Sequence, residues 1–157
     1  MAVLLVLGIA LVLTRIAGAL GVKPLDSGPA AVRVGLAAML LFTSVAHFGS
    51  LRHELARMIP PGVPSPMGMV YFTGLCEIAG AIGLLVPRTR RAAAWALIVL
   101  FLAILPANIF AARAGLTLAG NPVTSEGKRI AVQALFIALT WWSGIYRGGG
   151  RGASARS

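Results

Sequence analysis

The stretch Tyr71–Arg91, YFTGLCEIAGAIGLLVPRTRR, decides how the rest of the sequence is interpreted. Its apolar part is long enough to cross the hydrocarbon core of a bilayer, which takes about 20 helical residues. It carries one carboxylate, Glu77, well inside the apolar run, and it ends in a proline and a cluster of arginines. An acid at that depth is costly in hydrocarbon, so it requires a polar partner or a function that keeps it there.

The whole chain has the composition of an integral membrane protein. Of its 157 residues, 58% are hydrophobic and 11% are charged, against roughly 25% charged in a soluble domain, and the mean hydropathy is +0.88. The net charge of +10 would attract nucleic acid, but the basic residues lie mostly in turns and ends between apolar blocks, as membrane topology requires. The composition therefore predicts a lipid bilayer as partner and no nucleic acid. The single cysteine, Cys76, excludes an intramolecular disulfide and a Cys-rich metal site.

The pattern of apolar blocks predicts an all-α fold with five membrane spans. The first, residues 1–20, is interpreted as a retained helix rather than a cleaved signal, because it has no basic n-region. The last four are expected to form one bundle, with spans at residues 30–48, 67–86, 92–112 and 129–146. A short amphipathic helix over residues 50–59 is expected at the interface, and Pro106 is expected to kink its span. The Gly-, Ser- and Arg-rich tail at 147–157 is predicted to be disordered.

The distribution of basic residues predicts the orientation of the chain. With five spans and the N-terminus outside, the inner segments hold seven lysines and arginines, against five in the outer loops. The positive-inside rule then favours an N-terminus outside and a C-terminus in the cytoplasm. We expect the inner (plasma) membrane as the location.

Alternation of the spans brings five polar residues to the same side of the membrane: His47, Glu77, Asn108, Arg129 and Gln133. Polar groups at similar depth on four helices predict a shared pocket, in which the histidine or either amide would donate to the carboxylate. A second interpretation stays open, in which the polar network only holds the helices together. No metal site is predicted, because one histidine and one glutamate fall short of the usual three or four ligands.

Several short motifs, taken together, are similar to those of a known family. They are Ala46–Phe48, Thr73–Leu85 with the basic turn Pro87–Arg91, Pro106–Ile109, and Arg129 with Gln133. Over about residues 30–146 the chain resembles the DoxX family of small bacterial and archaeal membrane proteins. The resemblance implies a four-helix transmembrane bundle, to which residues 1–20 add a helix. It also implies a link to quinone-dependent oxidation, since some members are partners of oxidoreductases, whereas distant relatives act as cargo receptors or assembly chaperones.

Two functions are therefore kept as hypotheses, and whether the chain is an enzyme stays open. In the first, the chain is an accessory or quinone-interacting subunit of a membrane oxidoreductase, with quinone as the cofactor. Glu77 and His47 would then handle protons or bind the head group, Gln133 and Asn108 would orient it, and Arg129 would supply positive charge. In the second, the chain is a non-catalytic scaffold, an assembly chaperone, or a lipid- or small-molecule-binding protein, alone or as a homo-oligomer. A transporter is disfavoured, because five spans are few and no inverted repeat is visible.

Overall fold

The computed structural model describes residues 2–146, and most of these residues are helical. The helices are α1 Ala2–Ala19, α2 Gly28–Phe48, α3 Arg52–Arg57, α4 Pro66–Leu85, α5 Arg90–Arg113 and α6 Glu126–Gly144. A 3-10 turn, Lys23–Leu25, joins α1 to α2. An antiparallel pair of short strands, β1 Thr117–Leu118 and β2 Asn121–Pro122, joins α5 to α6. The predicted helical character is confirmed, and the tail predicted at 147–157 lies outside the described residues.

Four helices of this part of the chain, α1, α2, α4 and α5, are long and apolar enough to cross a membrane. The chain is therefore a multi-pass membrane protein, and its many exposed leucine, isoleucine and valine side chains fit contact with lipid. The sequence predicted a fifth span. Helix α6 has 19 residues, but Lys128, Arg129 and Gln133 lower its mean hydropathy, so its crossing stays a prediction.

Helices α2, α4, α5 and α6 form a closed ring of four. Each packs on two others, in the cyclic order α2, α4, α5, α6. Neighbours run antiparallel, because the start of each helix contacts the end of the next, as Arg33 near the start of α2 contacts Ser143 at the end of α6. The core between them is apolar and includes Leu36, Leu40, Leu84 and Leu97. Helix α1 lies outside the ring, packed on α2.

Glycines allow α4 to approach its neighbours closely on opposite sides. On the side of α2, a Cβ atom added at Gly74 would lie 2.6 Å from the Cβ of His47. On the side of α5, a Cβ added at Gly83 would lie 2.6 Å from the Cβ of Ala93. Real side-chain carbons do not approach so closely, so these positions require glycine, as is common where membrane helices pack tightly.

The short helix α3 lies within the predicted amphipathic segment 50–59. It packs on α4, α2 and β1, and Glu54 accepts a hydrogen bond from the backbone N–H of Ala119 at 2.7 Å. Leu51 and Leu55 are partly buried and Met58 is buried. Much of the apolar side of the segment therefore packs against the bundle, rather than being free for lipid or a partner.

Helix α5 continues through Pro106 over all 24 of its residues. The predicted kink at this proline stays a prediction. Proline has no N–H, so the carbonyl of Leu102 lacks its usual helical donor. The preceding carbonyl in the sequence, that of Phe101, receives a side-chain hydrogen bond from α6 in the site described below.

Candidate functional site

Helices α2 and α4 bring His47 and Glu77 together. Glu77 is 7% exposed, and its Oε2 accepts a hydrogen bond from the Thr43 hydroxyl at 2.8 Å. The same oxygen lies 3.6 Å from Nε2 of His47. Thr43 and His47 are four residues apart on α2, so they lie on the same face of that helix. One helix therefore supplies both polar neighbours of the carboxylate.

A backbone carbonyl determines which nitrogen of His47 carries a hydrogen. Nδ1 lies 2.7 Å from the carbonyl oxygen of Val70. A carbonyl only accepts hydrogen bonds, so Nδ1 must donate, and a neutral His47 then directs the lone pair of Nε2 toward Glu77. That lone pair and an ionised carboxylate would repel each other. A proton on either atom would remove this repulsion, and the 3.6 Å between the two atoms is longer than a hydrogen bond.

The Thr43 hydroxyl can accommodate either protonation state of Glu77. Its oxygen lies 2.8 Å from Glu77 Oε2 and 3.0 Å from the carbonyl oxygen of Leu40. When Glu77 is ionised, Thr43 donates its single hydrogen to the carboxylate. When Glu77 is protonated, Thr43 accepts from it and donates to Leu40 instead. The site can thus gain or lose a proton without leaving this hydroxyl unpaired.

An aromatic pair lies beside these polar groups. The rings of Phe48 and Tyr71 are stacked, with centroids 5.9 Å apart, and both are exposed on the outside of the bundle. The Phe48 ring lies close to Gly74, which is three residues before Glu77 on α4. The side chains of His47 and Glu77 keep 14% and 10% of their surface exposed. Each of the two polar side chains thus keeps a small accessible surface near the rings.

The other three predicted residues form separate hydrogen bonds between α5 and α6. Arg129 donates from Nη1 to the side-chain oxygen of Asn108 at 2.6 Å. Gln133, which is buried, donates from Nε2 to the backbone carbonyl of Phe101 at 2.6 Å. The expectation that either amide donates to Glu77 is therefore wrong. All five residues lie in the same half of the bundle, but they are divided between two networks.

Two threonines complete the first network and were not among the predicted site residues. Thr43 donates to Glu77, and the hydroxyl oxygen of Thr73 lies 3.2 Å from Nδ1 of His47. Each threonine lies four residues before a predicted site residue on its own helix, Thr43 before His47 and Thr73 before Glu77. That helical spacing is the signal that would have found them. Within residues 2–146, no group of three or more His, Cys, Asp or Glu side chains is placed to hold a metal ion.

Comparison with known proteins places this chain in a family. No curated protein and no solved structure matches it. Residues 36–144 match the family described as domain of unknown function (DUF8561). The matched segment contains both polar networks, whereas α1 lies before it. Because the match covers well over half of the chain, this chain belongs to the DUF8561 family.

Proposed function

We propose that this chain is an accessory subunit of a membrane oxidoreductase system, and that it binds a quinone head group at His47 and Glu77. The observation that supports this proposal is the approach of His47 Nε2 to Glu77 Oε2, at 3.6 Å, beside two exposed aromatic rings. A quinone carbonyl accepts a hydrogen bond, and its planar ring can pack on Phe48 and Tyr71. The resemblance to the DoxX family points to the same chemistry.

The chemistry divides between this chain and its partner. Reduction of a quinone to a quinol takes two electrons and two protons. The partner oxidoreductase would supply the electrons. Glu77 and His47 would deliver one proton to the nearer quinone oxygen and regain it from water at that end of the bundle, and the partner oxidoreductase would supply the second proton to the far oxygen. The exchange of hydrogen bonds at Thr43 would keep the site paired until Glu77 is reprotonated.

Removing the acid from the site tests this proposal. In purified protein in detergent, Glu77→Gln should weaken binding of a short-tailed quinone by about tenfold or more, because a hydrogen bond to an ionisable group is lost while the volume is kept. Isothermal titration calorimetry measures the change. Glu126→Gln is the matched control, since Glu126 is a carboxylate in the same half of the bundle, where it pairs with Arg113 outside the site. An unchanged affinity in Glu77→Gln, or no binding by the wild type, would refute the proposal.

A non-catalytic scaffold is the second candidate function. It is favoured by the internal use of the second network, where Arg129, Asn108 and Gln133 all bond within the α5–α6 pair. A scaffold should keep its partner proteins when His47 and Glu77 are both replaced with leucine. A quinone-binding subunit should lose its ligand in the same variant.

We also propose the inner membrane as the location, with the N-terminus outside and the C-terminus in the cytoplasm. The test uses a Cys76→Ala background with one new cysteine, either Thr89→Cys in the turn before α5 or Thr124→Cys before α6, both at exposed positions. A membrane-impermeant maleimide should label Thr124→Cys in intact spheroplasts and Thr89→Cys only after permeabilisation. The reverse pattern would invert the orientation, and labelling of both from outside would contradict the alternation of spans.

A further inference from the structure

The end of the bundle opposite to His47 and Glu77 brings two arginines together. Arg33 of α2 donates from Nη1 to the backbone carbonyl of Ser143, in the last turn of α6, at 2.7 Å. Gly144, the next residue of α6, packs closely on the start of α5, since a Cβ there would lie 2.6 Å from the Cβ of Ala94 and 3.8 Å from the carbonyl oxygen of Arg90, the first residue of α5. Arg33 and Arg90 therefore lie beside consecutive residues of α6. Three helices thus meet around two positive charges.

No carboxylate among the described residues forms a salt bridge with Arg33 or Arg90. The salt bridges within residues 2–146 are His47 with Glu77 and Arg113 with Glu126, and both lie in the opposite half of the bundle. Two like charges held together outside bulk water are unfavourable unless an opposite charge accompanies them. Arg33 has only a neutral acceptor in the Ser143 carbonyl, so an anion is the partner that would offset the charge of the two arginines.

Unpaired hydrogen-bond donors lie at the same end. In the described part of the chain, the buried side-chain polar atoms without a partner are Arg90 Nε, Thr140 Oγ1 and Ser143 Oγ. Thr140 and Ser143 are 0% and 4% exposed, and they are three residues apart on one face of α6. Buried polar groups are nearly always hydrogen-bonded in folded proteins. Each of these three groups can donate a hydrogen bond, and donors are what an anion requires.

The position of this end of the bundle relative to the membrane indicates which kind of anion could bind there. Trp141, Trp142 and Tyr146 are exposed there, as expected of an aromatic belt at the membrane–water interface. The Trp142 ring lies beside Gly28, the first residue of α2. Arg33 follows five residues later, about 7.5 Å along the helix, and a long arginine side chain can reach back to the interface from there. Phospholipid headgroups occupy this depth.

We propose that Arg33, Arg90 and Ser143 bind a phosphate group, with an anionic phospholipid headgroup as its source. Arginine suits this ligand, because the planar guanidinium donates two parallel hydrogen bonds to phosphate oxygens. Arg90 Nε and the Ser143 hydroxyl would find their missing partners in that phosphate, with Thr140 one turn deeper. This site does not depend on the quinone proposal, since it uses other residues at the other end of the bundle.

Native mass spectrometry of the full chain released from nanodiscs tests the site. The wild type should retain dioleoylphosphatidylglycerol in preference to dioleoylphosphatidylcholine. The double variant Arg33→Gln/Arg90→Gln should reduce that retention by about tenfold or more, since it removes two charge-assisted contacts. The matched control is Arg88→Gln/Arg91→Gln, which removes the same charge from two exposed positions, one in the turn before α5 and one in its first turn, and should retain the lipid as the wild type does.

If the double arginine variant does not fold, Ser143→Ala tests the site instead. This change removes only the hydroxyl, so the backbone carbonyl that accepts the hydrogen bond from Arg33 remains. Loss of a buried hydroxyl that has no other role should leave lipid retention unchanged, whereas loss of a ligand contact should lower it several-fold.

Thermal unfolding in neutral detergent with added inorganic phosphate distinguishes a lipid headgroup from free phosphate as the source of the bound group. Protection by phosphate, with no preference for phosphatidylglycerol, supports the anion site and assigns it to free phosphate. Equal retention of both lipids with no effect of phosphate would overturn the proposal, as would wild-type retention in both variants.

Discussion

Replacing His47 with leucine should destabilise the folded protein by about 3 kcal/mol, and adding Glu77→Leu to the same chain should restore most of that loss. The single change leaves a buried carboxylate with Thr43 as its one hydrogen-bonding neighbour. Breaking a buried pair by removing one partner costs about 3–5 kcal/mol, whereas replacing both partners with apolar residues is often neutral. The recovery in the double variant is the sign that the two side chains act as one unit.

Unfolding in mixed micelles by increasing fractions of denaturing detergent, followed by circular dichroism, measures these free energies. Asn108→Leu is a suitable control, because it removes one partner from the second network and should not be rescued by Glu77→Leu. A double variant as unstable as His47→Leu would mean that the pair is not coupled. A stable double variant that no longer binds quinone would separate the proposed function from a purely structural role.

Replacing Gly74 with alanine should destabilise the protein by about 2 kcal/mol. The added methyl group would lie 2.6 Å from the Cβ of His47 and 3.0 Å from the Phe48 ring. The Cβ of His47 is attached directly to the backbone of α2, so a side-chain rotation cannot relieve this contact and the two helices must separate. Because His47 moves with its helix, quinone affinity should fall together with stability.

Gly8→Ala is the matched control for this change. It is also a helical glycine in an apolar helix, but no atom lies within 4 Å of an added Cβ. Alanine is a better helix former than glycine by up to about 1 kcal/mol, so this variant should be as stable as the wild type or more stable. Thermal unfolding of the two variants in the same detergent makes the comparison. Equal stabilities for Gly74→Ala and Gly8→Ala would contradict the close packing of α2 on α4.

The helix boundaries could be predicted from the sequence because they depend on local signals. Apolar blocks of sufficient length and flanking prolines and arginines placed every long helix to within a few residues of its observed bounds. The sequence also predicts that the five polar residues lie in the same half of the bundle, since this depends only on alternation of the helices. Tight turns such as the one between α4 and α5 fix which neighbours are antiparallel.

The partners of the polar side chains could not be predicted in the same way. Which residues meet depends on the rotation of each helix about its axis, and hydropathy in a membrane protein sets this rotation weakly. Gln133 therefore bonds a backbone carbonyl of α5 that no sequence motif marks. Arg33 and Arg90 lie on different helices, and nothing in the sequence shows that α6 brings Ser143 to Arg33.

The glycine contacts on opposite sides of α4 have a consequence for how quickly the site can work. Moving α4 along its axis would bring side chains larger than glycine against His47 on one side and Ala93 on the other. This helix therefore cannot slide along its axis. In the proposed function, proton exchange at Glu77 would then rely on rotation of individual side chains rather than on collective helix motions, which take microseconds to milliseconds. The arrival of the ligand through the bilayer, and not a rearrangement of the protein, should then limit the rate.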